Sequence, residues 1–129
     1  MDTGMLHILV GWCAVLFGAT SGAVMGLFFH EETWAGGYTS YRRRMLRLGH
    51  ISFFGIGFLN FFFGLTLSLI TLPQTYTRIA SLGFLIAVVA MPACCYLAAW
   101  KKPLRHLFPI PVLAVLAGVI PILLGWQAS

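Results

Sequence analysis

Four long apolar stretches occupy most of this chain and constrain it more than any other feature. They run over residues 5–29, 48–72, 79–100 and 104–126. A bilayer core is crossed by about 20 apolar residues in helical form. Backbone polar groups inside hydrocarbon must be satisfied within the segment, so spans of this length are helices. The connections between them are short: HEETWAGGYTSYRRR, then LPQTYTR, then KKPLR. Short connections make successive helices antiparallel. The expected fold is therefore all-α: a polytopic integral membrane protein, with one up-down bundle of four transmembrane helices filling residues 1–129. Composition agrees. Hydrophobic residues make up 60% and charged residues 9%, where roughly a quarter of a soluble chain is charged.

The few charges are placed asymmetrically. Arg42, Arg43, Arg44 and Arg47 precede the second span, and Lys101, Lys102 and Arg105 precede the fourth, whereas Arg78 is alone at the other end. The positive-inside rule then sets loops one and three in the cytoplasm and both termini outside, in a bacterial cytoplasmic membrane. Trp34, Tyr41 and Trp100 near the inner boundary, and Tyr76 and Trp126 near the outer one, suit interfacial belts. The net charge of +5 is thus a membrane signature and does not point to nucleic acid. The opening MDTGM lacks a basic n-region, so the first span is expected to be retained. Cys13, Cys94 and Cys95 lie in apolar segments, with no disulfide or zinc spacing.

Histidines carry the first functional reading. His50 is three residues past Arg47, and His106 directly follows Arg105. On antiparallel helices both lie within about one turn of the same boundary. In an up-down bundle the second and fourth helices are diagonal neighbours, roughly 12–14 Å apart. Two imidazoles with a metal between them span that gap. A b-type haem axially held by His50 and His106 is therefore expected, with Arg47 and Arg105 as partners for its carboxylates. On the second helix Gly57 and Gly64 share the His50 stripe, which would let a flat ring approach the backbone. On the first helix Ala14, Gly18, Gly22 and Gly26 recur every four residues. That ridge reads as close helix packing or as the lining of a cofactor.

Other polar residues have plainer readings. His30 suits a helix C-terminus, where the dipole favours a cation. With Glu31, Glu32, His50 and His106 it also offers a mixed nitrogen and oxygen set for a metal at the rim. His7 lies on the glycine-bearing face and points inward, without a histidine at its own level. Asn60 is the deepest strongly polar side chain; it reads as an interhelical hydrogen bond or a quinone contact. Pro92, Pro109, Pro111 and Pro121 imply kinks and freed carbonyls. No nucleophile–base pair, carboxylate pair or phosphate loop stands out in the sequence, so independent catalysis is not expected.

A histidine near the start of the second and fourth helices resembles one half of haem A synthase, where such a pair grips a b-type haem. The resemblance covers all four spans in layout and His50 and His106 in residues. That family has an acid three positions before the first histidine; here the position is Arg47, so the acid's catalytic role does not transfer. The chain also matches only one of that family's two halves. A looser likeness, through His7 and the basic loop, is to small four-helix membrane oxidases of porphyrin synthesis. Their third-helix lysine has no counterpart here. The resulting expectation is a haem-binding electron-transfer subunit of a larger respiratory or photosynthetic complex. The alternatives are a cofactor-free accessory or assembly subunit and, more remotely, a small transporter.

Overall fold

The computed structural model describes residues 1–126, and the described residues form helices and connections without strands. Four helices follow in order: α1 (Thr3–Gly26), α2 (Tyr41–Leu69), α3 (Gln74–Trp100) and α4 (Pro109–Trp126). Short 3₁₀ turns cover Trp34–Gly36 and Lys102–Leu107. All four helices, α4 together with the turn before it, are long and apolar enough to cross a membrane. The all-α fold expected from the sequence is thus present. The C-terminal end, for which the charge pattern sets an outside position, lies outside the described residues.

Helix α3 begins at Gln74, five residues before the expected start, and local chemistry explains two further shifts. Ser40 caps α2 by accepting from the Arg43 N–H at 3.1 Å while donating to Ala35 O at 2.6 Å. The helix therefore begins at Tyr41, seven residues before the expected span, and Arg42, Arg43, Arg44 and Arg47 are helical rather than part of the loop. At 29 residues, or about 43 Å, α2 exceeds a hydrocarbon core of about 30 Å, so its basic first turns reach past the apolar layer. The fourth helix starts later than the expected residue 104. Pro109 and Pro111 have no N–H to return to residues 105 and 107, so the α-helical ladder begins only at Pro109 and the segment before it winds as 3₁₀. His106 therefore lies in the 3₁₀ turn that precedes α4.

Small residues set the packing. A Cβ at Gly57 would lie 2.7 Å from Ala14 Cβ, and one at Gly64 would lie 2.6 Å from Gly4 O. Such contacts bring the α1 and α2 backbones together in antiparallel register. Gly49 does the same for α2 against Cys95 and Tyr96 of α3. Gly83 and Gly118 do it for α3 against α4. Each helix packs on its chain neighbour. Helix α1 also touches α3, but α4 packs on α3 and not on α1 or α2. The bundle is therefore not closed by contact between α1 and α4. A core of Phe63, Leu72, Ala80 and Phe84 joins α2 and α3. Large apolar side chains such as Trp12, Leu16, Leu82, Val89 and Leu113 face outward, which suits a lipid environment.

Candidate functional site

The most deeply buried polar side chains sit where α1, α2 and α3 meet. His7 and Asn60 are both 0% exposed. His7 lies four residues into α1, Ser81 seven residues into α3 and Asn60 nine residues before the end of α2. Because the helices alternate, all three lie about 6 to 14 Å below the end opposite the arginines. Asn60 Nδ2 donates to the carbonyls of Ile56 at 3.0 Å and Phe84 at 3.2 Å. Both amide hydrogens are thereby used, so Oδ1 faces the His7 ring and accepts from Nδ1–H at 2.7 Å. That fixes the tautomer. His7 Nε2 carries a lone pair, and the Ser81 hydroxyl donates to it at 2.8 Å. The edge of the ring meets Phe63 with centroids 4.7 Å apart. An uncharged ring suits the place, because a buried cation without a counter-ion is costly.

This chain of contacts has a chemical meaning. A hydroxyl within reach of a basic nitrogen, with the other ring nitrogen oriented by a fixed acceptor, is the constellation that activates a serine nucleophile. An amide can serve as the orienting group only if its oxygen faces the ring, and the two carbonyls that Asn60 holds impose that orientation. Ser81 is half-buried and forms part of an open pocket with Thr3, Thr77, Arg78 and Leu82. The polar chain is therefore accessible at Ser81 and closed at Asn60, whose amide ends on backbone carbonyls.

Sequence reasoning found His7 inward-facing and Asn60 helix-bridging, and both positions hold. It missed Ser81, and with it the hydrogen bond between the Ser81 hydroxyl and His7. Shared depth was the available signal, since all three residues lie a few turns from one boundary once the helices alternate.

The two histidines expected to hold haem have different surroundings. His50 lies on α2 and turns toward α1, with its Nδ1 3.1 Å from Ser21 Oγ and its ring against Phe54 and Gly22. His106 is exposed in the 3₁₀ turn beside Lys102, Pro103 and Arg105. The turn carrying His106 touches α2 through Lys102, whose Nζ lies 5.3 Å from the Tyr41 ring centroid, whereas His50 faces α1. Arg105 is exposed with His106, whereas Arg47 stays near His50 with its guanidinium 4.6 Å from the Tyr38 ring centroid. Gly57 meets Ala14, so the space allotted to a flat ring is filled by α1. The reason is lateral order: matched depth does not make two helices neighbours. His30 is exposed and 4.0 Å from Glu31. Among the described residues no three His, Cys, Asp or Glu side chains gather as a metal would require, so the rim set with Glu32 is not formed either.

In the sequence Arg43 is one topology charge among four, yet in the fold it is 2% exposed. Its guanidinium donates to Phe29 O at 3.0 Å and Glu31 O at 3.4 Å. Phe29, Trp34 and Tyr38 surround it at 4.5, 5.4 and 5.2 Å. This aromatic cage ties loop one to α2. Comparison with known protein families, with characterised proteins and with solved structures gave no match.

Proposed function

We propose that this protein is an acyl-transfer enzyme embedded in a bacterial cytoplasmic membrane. The basic end is cytoplasmic and the His7 end faces outward. One observation carries the reading: Ser81, His7 and Asn60 form a continuous hydrogen-bonded chain with the productive tautomer imposed by Asn60. In the reaction, Ser81 Oγ adds to an ester or amide carbonyl as His7 Nε2 takes its proton. Collapse of the adduct breaks the bond to the leaving alcohol or amine, which receives that proton, and leaves an acyl ester on Ser81. Water or a second alcohol, deprotonated by the same nitrogen, then releases the acyl group and restores the serine. Arg78, beside Ser81 in the pocket, supplies positive charge near the oxygen that becomes an oxyanion.

Two other readings are weaker here. Electron transfer through haem b is less favoured where His50 turns to Ser21 on α1 and His106 is exposed in the 3₁₀ turn. Transport needs a path with two openings, and this polar chain has one. The cofactor-free accessory subunit is the second reading, because the same hydrogen bonds also clasp three helices.

A lipophilic fluorophosphonate, which forms a covalent bond to activated serines, separates these readings. Membranes containing the full chain should become labelled at Ser81, as located by peptide mass spectrometry. Ser81→Ala should abolish the label, and His7→Gln should slow it by about 10²- to 10⁴-fold, the usual contribution of a general base. An unlabelled wild-type protein that is helical and monodisperse would overturn the enzyme and leave the accessory subunit.

A further inference from the structure

The opposite end of the α1–α2 pair carries polar groups that acyl transfer does not use. Gly22, Met25, Gly26 and Phe29 on the α1 side, and Arg47, His50 and Ile51 on α2, line an open groove. Arg47 is half-buried and lies over Tyr38. Among the described residues it has no ion pair: the contact between opposite charges is His30 with Glu31. His50 is three residues further on, so both side chains share a face of α2. Ser21 donates its hydroxyl to Gly18 O at 2.9 Å and must therefore accept from His50 Nδ1–H. His50 Nε2 is left without a hydrogen bond from the described residues. The groove continues past Gly26, where an added Cβ would meet nothing within 4 Å.

We infer that this groove binds an anionic glycerophospholipid. Arg47 faces the phosphate as a cation with unused donors. His50 Nε2 accepts from a head-group hydroxyl. Met25, Phe29 and Ile51 flank the upper acyl chain along the gap at Gly22 and Gly26. Charge complementarity favours an anionic over a zwitterionic lipid, and the seven basic residues at this end draw such lipids to the surface. The inference is independent of the reaction at Ser81.

Native mass spectrometry of the intact chain from nanodiscs tests it, with phosphatidylglycerol and phosphatidylcholine supplied in equal amounts. The wild-type protein should retain phosphatidylglycerol preferentially. Arg47→Gln should reduce that retention roughly fivefold. Gly26→Leu should reduce it as well, by filling the groove without a clash. Arg44→Gln removes an exposed charge from the same end and should change it little. Equal loss from Arg47→Gln and Arg44→Gln, with none from Gly26→Leu, would reduce the effect to bulk surface charge and overturn the site. Displacement of the lipid by millimolar inorganic phosphate would overturn the lipid assignment in favour of a phosphate site. Circular dichroism of each variant guards against unfolding.

Discussion

His7 and His50 share one helix interface and have opposite fates. Each directs Nδ1 at a side-chain oxygen across the α1–α2 contact, Asn60 in one case and Ser21 in the other. At His7 a third helix supplies Ser81, so both ring nitrogens are engaged and the ring is sealed. At His50 the ring borders an open groove that, among the described residues, is lined from the α1 side and α2. The cause is the path of α3. It meets α1 near His7 and Ser81, while further toward the basic end an apolar groove lined by Val10, Phe17, Phe53, Pro92 and Tyr96 lies between them. One residue type on one interface thus gives a closed relay where three helices meet and an open, ligand-type face where two do.

Three pairs of substitutions sharpen that contrast. The largest effect is expected from Asn60→Leu, which leaves His7 Nδ1–H without its acceptor. A buried unsatisfied group costs about 1–3 kcal/mol, and loss of the orienting acceptor should also remove fluorophosphonate reactivity. Ser21→Ala, the corresponding change at His50, leaves a ring beside an open groove and should cost under about 1 kcal/mol. Thermal unfolding in detergent reads both, and equal shifts would erase the distinction between sealed and open sites.

Next comes Gly57→Leu. Its Cβ would meet Ala14 at 2.7 Å, so α1 must move off α2, at a cost of about 1–3 kcal/mol. Both histidine sites should then suffer together. Gly55→Leu, two residues away with nothing within 4 Å of its added Cβ, should be nearly silent. A harmless Gly57→Leu would mean the two helices are not held at backbone contact.

A smaller, local effect is expected at the cage. Arg43→Lys keeps the charge but loses the planar stacking and one of the two carbonyl contacts. Loop one should become more sensitive to protease while the helices stay intact. Arg44→Lys should not change cleavage, because Arg44 is exposed. Identical cleavage in both variants would return Arg43 to a role in topology alone.

Much of this fold was legible in the sequence, because bilayer thickness converts apolar run length directly into helices. The α1 ridge was also legible as packing: Gly18 and Gly22 accept Phe54 and His50 from α2. Lateral order was not. Loop lengths and charges give each residue a depth but do not say whether the fourth helix closes against the first and second. The His50–His106 pairing rested on such a closure. Ser81 was hidden for a different reason. Serine is unremarkable in an apolar helix, and its partner lies 74 residues away. Depth matching applied to His7 would have brought Ser81 and Asn60 forward, and there α1, α2 and α3 do converge. Arg43 was hidden because a run of arginines says nothing about which one turns inward.

The tautomer of His7 tests the central claim most directly. Solid-state ¹⁵N spectra of histidine-labelled protein in bilayers distinguish protonated from unprotonated ring nitrogens. His7 should carry its proton on Nδ1, with Nε2 accepting a hydrogen bond, and Ser81→Ala should shift the Nε2 resonance of His7 while leaving that of His50 unchanged. A His7 ring protonated on Nε2, with a spectrum indifferent to Ser81→Ala, would contradict the nucleophile–base pair and leave the three residues as a helix clasp.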